Sequence, residues 1–231
     1  RPYRSSKFVY EAFGLDTPII NYNGSLIHHP LKKDFKAISH LINKDIIFDV
    51  FEKNKDYIRN AFSEINDDVY LYRTEKAIEP FLHASNATSM IIGDFDKTIK
   101  RDINGMIIIG YEGTGEKIKA YGDENYQRKI KARIWQSAGE YDSIIEIFAP
   151  EVNKGNAIEI VGQYLGFDQE DIIAIGDGHN DIEMLKYAGL GVAMKNAHPE
   201  LLAVADKILE HTPREDAVFR FINNFLDETK L

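Results

Sequence analysis

Ile172-Ile173-Ala174-Ile175-Gly176-Asp177-Gly178-His179-Asn180-Asp181 decides how the rest of the chain is read. Four apolar residues in a row suit a strand covered on both faces, and the glycine-bracketed acids that follow suit a loop leading into a helix. Ligands of open α/β sheets bind beyond such carboxyl ends. Asp177 and Asp181 stand four residues apart across the loop, so both carboxylates can face one point, where hard oxygen donors suit Mg²⁺. Gly176 and Gly178 let the backbone approach an ion closely, which puts Gly178 in the metal set beside the two acids. Asn180 falls at the expected helix start, where free N–H groups favour a phosphate oxygen and its amide adds a donor. An isolated Asp-Gly would be an ordinary solvated turn. The whole string reads instead as a combined metal and phosphate loop.

Outward from this string, strand and helix signals alternate, the pattern of α/β layers with mostly parallel strands. Asn153 caps a helix carrying Ile158, Val161 and Leu165 that stops at Gly166. After the loop come a strand at Gly191 to Met194, Pro199 in a helix's first turn, and a short edge strand at Lys207 to Leu209. A terminal helix shows Val218, Phe219, Ile222 and Phe225 as its apolar face. At the other end, Phe8, Val9, Ala12 and Phe13 mark a helix ending at Gly14, and Pro18 to Tyr22 a strand running into an Asn23-Gly24 turn.

The middle of the chain has a different texture. Phe35, Ile38, Leu41 and Ile42 predict a helix, Ile46 to Phe51 a strand, and Tyr57, Ile58, Ala61, Phe62 and Ile65 a second helix. Val69 to Tyr72 and Met106 to Tyr111 predict strands. Ile130, Ala132 and Ile134 alternate with charges, giving a strand with one wet face whose partner is Ile144 to Phe148. The expected organisation is a split α/β core, residues 1–24 and 150–231, with a self-contained α/β insert at 25–149.

Composition narrows the function classes. The 28 Lys and Arg against 37 Asp and Glu leave a net charge of −9, and the basic residues are scattered, which disfavours nucleic acid as a partner. With no cysteine there is no disulfide, thiolate nucleophile or zinc-thiolate cluster. No leader or long apolar span is visible, so the expectation is a cytoplasmic protein away from membranes, monomeric or weakly dimeric. The histidines His28, His29, His40, His83, His198 and His211 show no metal spacing.

Gly176 to Asp181 resembles the last acidic motif of the haloacid dehalogenase-like (HAD) superfamily, and further segments resemble its Cof-type branch, subclass IIB, in that branch's order. Arg1-Pro2-Tyr3 is similar to the tail of its Thr-Gly-Arg-Pro motif, and Asn21 to Ser25 to its Asn-Gly-Ala segment. Val152-Asn153-Lys154-Gly155 is similar to its lysine motif, and Gly191 to Ala197 to its Gly-Val-Ala-Met-Gly-Asn-Ala run, with Lys195 in place of the glycine. The resemblance implies a HAD-like parallel-sheet core with an inserted cap. It also implies a Mg²⁺-dependent phosphatase that acts on monoesters of small phosphorylated metabolites, such as sugar phosphates, through an aspartyl-phosphate. Carried over residue by residue, it makes Lys154 and Asp177 catalytic, and assigns substrate and phosphate binding to Arg1, Asn23, Lys154, Asn180 and Asn196. Metal binding falls to Asp177, Gly178 and Asp181.

The branch's nucleophile motif, Asp-X-Asp-X-Thr, precedes all of these. Asp94-Phe95-Asp96-Lys97-Thr98 fits the pattern but falls inside the insert, so motif order marks it as a decoy on an exposed turn between two insert strands. The true aspartate is then expected upstream of Arg1, and the chain from Arg1 alone is expected to be inactive. Two alternatives share the loop: a non-catalytic phosphometabolite-binding protein, and a phosphomutase.

Overall fold

The computed structural model describes residues 1–82, 89–135 and 143–228. In chain order the elements are α1 (Tyr3–Ala12), β1 (Ile19–Asn21), β2 (Leu26–His28), β3 (Ile38–Ser39), α2 (Lys44–Asn54), β4 (Ile58–Ile65) and β5 (Asp68–Leu71). Next come α3 (Glu79–Leu82), β6 (Met90–Ile92), α4 (Phe95–Thr98), β7 (Gly105–Gly110), α5 (Thr114–Tyr126), β8 (Lys131–Trp135) and β9 (Ser143–Phe148). The chain closes with α6 (Lys154–Leu165), β10 (Ile173–Gly176), α7 (Ile182–Tyr187), β11 (Leu190–Ala193), α8 (Pro199–Leu202), β12 (Lys207–Ile208) and α9 (Ala217–Glu228). Two compact units result, Arg1–Val152 and Asn153–Leu231.

In the first unit β6-β5-β4-β7-β9-β8 form one mixed sheet, antiparallel except for β5 with β6. One face packs Met106, Ile108, Ile145 and Ile147 with Ile47, Val50 and Phe51 of α2 and Ile118 of α5. The opposite face carries Phe62, Val69, Leu71, Ile109 and Ile144 with Ile78 and Leu82. Because β4 lies inside this sheet and is apolar on both faces, its period of two is hidden, and Ile58, Ala61, Phe62 and Ile65 mimic helical spacing. The helix expected there is therefore a strand. The strand expected at Ile46 to Phe51 is α2, whose N-cap Asn43 accepts from the Asp45 N–H at 2.8 Å and whose buried residues Ile47, Val50, Phe51 and Asn54 keep a helical period. No helix forms at 35–42; Ile38 and Ser39 make β3, and Ile42 bridges to Ile103.

The strand expected at Pro18 to Tyr22 is β1, which turns back through Asn23, at φ 57°, to pair antiparallel with β2. Arg4 of α1 ties this N-terminal segment to the large sheet. Its buried guanidinium pairs with Glu64 of β4 and donates to the Leu82 carbonyl at 2.6 Å and to Asp67 at 3.4 Å. Burial pushes the Glu64 carboxyl up, and the Arg4 charge opposes that shift. Tyr22 donates to the same Asp67 at 3.0 Å, and burial raises its phenol further from ionisation.

In the second unit β10-β11-β12 form a parallel sheet with β10 and β12 at its edges. Its core joins Ala174, Val192 and Leu201 to Leu185 of α7. The terminal helix differs from expectation in its face. It buries Ala217 and Phe221 and leaves Val218, Phe219 and Ile222 exposed, because apolar residues span more of its circumference than one packing stripe uses.

Candidate phosphate and metal site

At the carboxyl end of β10 the backbone turns sharply, and side-chain bulk is excluded from the turn. A Cβ on Gly176 would meet the Asp181 Cβ at 2.5 Å, and one on Gly178 would meet the Asn180 Oδ1 at 2.6 Å. These glycines form a cradle closed by Asp181, which is 4% exposed. Its Oδ2 accepts from the Asp177 N–H at 3.0 Å and the Gly178 N–H at 2.9 Å, while its Oδ1 pairs with the Lys154 ammonium. Asp181 thus fixes both the loop and the lysine.

Lys154 reaches this point because α6 approaches α7 closely. A Cβ on Gly155 would meet the Glu183 carbonyl oxygen at 2.6 Å, so only glycine admits that approach. Asn153 caps α6 by accepting the Asn156 N–H at 2.7 Å, which sets Lys154 in its first turn. Asp177 is left exposed at the strand's end, and its carbonyl accepts the His198 N–H at 2.9 Å. That bond draws in the turn after β11, where Asn196 is also exposed. Asn180 lies half-buried in the 3₁₀ turn His179–Asp181 that opens onto the short α7.

Lys154, Asp177, Gly178, Asn180, Asp181 and Asn196 therefore share one sheet edge. Sequence spacing named the two acids as partners in metal binding, but the structure gives them unlike surroundings. Asp177 presents an exposed carboxylate, whereas both oxygens of Asp181 are engaged within the protein. Among the described residues no group of three or more His, Cys, Asp or Glu side chains is placed to hold a metal. What fits magnesium here is the donor chemistry: the exposed carboxylate of Asp177, next in the chain to both loop glycines, with the Asn180 amide oxygen close by the same loop.

Arg1 and Asn23 lie together in the first unit. The Arg1 carbonyl accepts from the Tyr22 N–H and from the Asn21 amide, both at 3.1 Å. Asn23 donates to Glu146 of β9 at 2.8 Å, a partner that no local pattern signals because it is remote in the chain. Asp94 stands between β6 and β7, ahead of α4, with a half-exposed side chain. A hydrogen bond and ion pair from Lys97 at 2.6 Å hold its carboxyl below the usual range. His83 lies outside the described residues.

A parallel β-α-β unit with an acidic glycine loop at its carboxyl edge and a clamped lysine beside it defines an α/β protein equipped for small anionic ligands. Residues 1–222 match the haloacid dehalogenase-like hydrolases, and the chain belongs to that family. It is 32% identical over 227 residues to the 5-amino-6-(5-phospho-D-ribitylamino)uracil phosphatase of Bacillus subtilis, covering 97% of this chain and 82% of that one. A haloacid dehalogenase-like hydrolase from Bacteroides thetaiotaomicron shares the fold with TM-score 0.79 at 22% identity, covering 97% of this chain and 84% of the other. A subclass IIB sugar phosphatase does so with TM-score 0.73 at 18% identity, covering 97% and 82%. The HAD-like fold and family read from the ordered motifs agree with these matches. Among the described residues no helix is long and apolar enough to cross a membrane.

Proposed function

We propose that the protein is a magnesium-dependent phosphatase that hydrolyses phosphate monoesters of small metabolites by way of an aspartyl-phosphate. The observation that carries this reading is the joint hold of Asp181 on Lys154 and on the Asp177-Gly178 backbone, which sets an ammonium beside an exposed carboxylate at the carboxyl edge of a parallel strand. Substrate preference for a small metabolite is supported by the phosphatase names of the Bacillus relative and the subclass IIB neighbour.

In this reading Lys154 offers a point charge to the transferred phosphoryl oxygens, and Asn180 and Asn196 supply neutral amide donors. Asp177 is the metal carboxylate, with Gly178 beside it, and Asp181 serves that end of the site by fixing the loop. Bound magnesium would neutralise phosphate charge there. The ester P–O bond breaks as an aspartate carboxylate takes the phosphoryl group and the leaving alkoxide gains a proton. Water then cleaves the acyl phosphate, releasing inorganic phosphate and restoring the carboxylate. Motif order assigns that aspartate to a position other than Asp94. It also assigns residues 1–24 and 150–231 to the core, 25–149 to the cap, and Arg1 and Asn23 to substrate contacts.

The test is phosphate release from p-nitrophenyl phosphate by the full-length protein with magnesium. A folded Lys154→Ala variant should turn over at least about a hundredfold more slowly, as expected for loss of a group contacting the transferred phosphoryl. Parent-like turnover by that variant would sink the assignment.

A further inference from the structure

The second unit holds a cavity of about 290 Å³ between β12 and α9, and none of its lining residues belongs to the loop that carries Asp177. Its position follows from the turn that joins the two elements. Thr212 and Glu215 cap each other across that turn, and Asp216, at φ 59°, redirects the chain so that α9 packs back through Ala217 and Phe221. The small Ala217 leaves space at the head of the helix, and the Phe221 and Phe225 rings, 6.0 Å apart, give the cavity an apolar floor. Its rim is charged. Lys207 of β12 sets its ammonium 5.3 Å from the centre of the Phe221 ring, and the Arg220 Nε of α9 donates to the Glu215 carbonyl at 2.9 Å, so both of these partners are uncharged. Two neighbouring acids are turned to other bonds: Asp206 accepts the Gly191 N–H at 2.8 Å, and Glu215 accepts the Thr212 N–H at 2.9 Å and its hydroxyl at 2.8 Å. Among the described residues Glu210 is the acid on the cavity wall.

We propose that this cavity is a binding site for a small monocarboxylate with an aromatic body. Size sets the body. A cavity of about 150 Å³ accommodates benzene, so one of about 290 Å³ holds a single ring with a short charged arm, and two phenylalanine rings suit an aromatic guest. Charge sets the arm. With His211 counted as neutral, Lys207 and Arg220 against Glu210 leave one positive charge in excess, in a chain whose net charge is −9. A monoanion cancels that excess, whereas a phosphate dianion overshoots it and a cation adds to it. Arg220 offers a planar fork matched to a carboxylate, Lys207 a point charge, and Asn224 a neutral amide donor on the same wall. The site lies within the second unit and is independent of the proposed phosphatase reading.

The full-length protein is titrated in a calorimeter with phenylacetate, and separately with phenylacetamide, phenethylammonium and acetate. Phenylacetate should bind with a Kd of about 1 mM or tighter, the scale for a ligand of this size in a formed pocket. The neutral amide should bind at least about tenfold more weakly, as expected when a hydrogen bond to a charged group is lost, and the ammonium and the ringless acetate more weakly still. Lys207→Gln and Arg220→Gln, each checked for its fold by circular dichroism, should each weaken phenylacetate by about tenfold. Should one of the two fail to fold, the other and the amide comparison decide. A parent that does not bind phenylacetate, an amide that binds as well as the acid, or a folded variant with parent-like affinity overturns the proposal.

Discussion

Replacing Asp181 by alanine should destabilise the second unit and free its lysine. The substitution leaves the Asp177 and Gly178 N–H groups without their acceptor. Unsatisfied buried donors cost about 1–3 kcal/mol each, and the exposure of Asp177 lets water reach this loop, so the low end applies and the two together cost about 2 kcal/mol. The Lys154 ion pair adds less than a fully buried one, because the lysine side chain is 28% exposed and regains water; about 1 kcal/mol is reasonable after that discount. The sum, about 3 kcal/mol, corresponds to a fall in Tm of about 6–12 °C for a chain of this size. Asp181→Asn keeps an oxygen for the two N–H groups and loses only the charge, so it should fall by about 2–4 °C. Scanning calorimetry of the parent and both variants reads this directly. An alanine variant melting within 2 °C of the parent, or an asparagine variant less stable than the alanine one, would refute the hold that Asp181 is argued to exert.

Gly155→Ala should separate α6 from α7, since the added methyl meets backbone at Glu183 and not a movable side-chain tip; a loss of about 1–3 kcal/mol in denaturant melts, with lowered turnover, is the expected result. Asp49 accepts hydroxyls from Tyr121 at 2.5 Å and Tyr126 at 2.9 Å, and the Tyr121 bond foremost holds its carboxyl below the usual range. A depressed carboxyl gives stability that is present above its unfolded pKa and lost as pH falls through the folded value. Tyr121, pushed up to about 12 by the same bond, gives stability present below its ordinary pKa of 10.0 and lost as pH rises through about 12. Asp49→Asn should therefore flatten both limbs of a stability-against-pH curve measured by urea melts, and unchanged limbs would count against the bond.

The second unit was legible in the sequence because its signals are local. Asn153 at a cap, Gly166 at a helix end in the left-handed region and Ile173 to Gly176 in a parallel strand all act through near neighbours. The first unit was less legible where tertiary context decides. Ile58 to Ile65 is apolar on both faces through its place inside a sheet, and the Asn43 cap of α2 competes with the β-branched run that follows it. At the loop, spacing paired Asp177 with Asp181 but carried no sign that one carboxylate is exposed and the other buried and engaged. That difference in surroundings depends on the reach of Lys154 from α6, which the close approach at Gly155 makes possible.

The most direct test of the central claim is where a phosphoryl mimic binds. Crystals of the full-length protein grown with magnesium and beryllofluoride should show the beryllofluoride within hydrogen-bond distance of the Lys154 Nζ, with magnesium on the Asp177 carboxylate. Beryllofluoride attached to Asp94, or density remote from Lys154 and Asp177, would contradict the account.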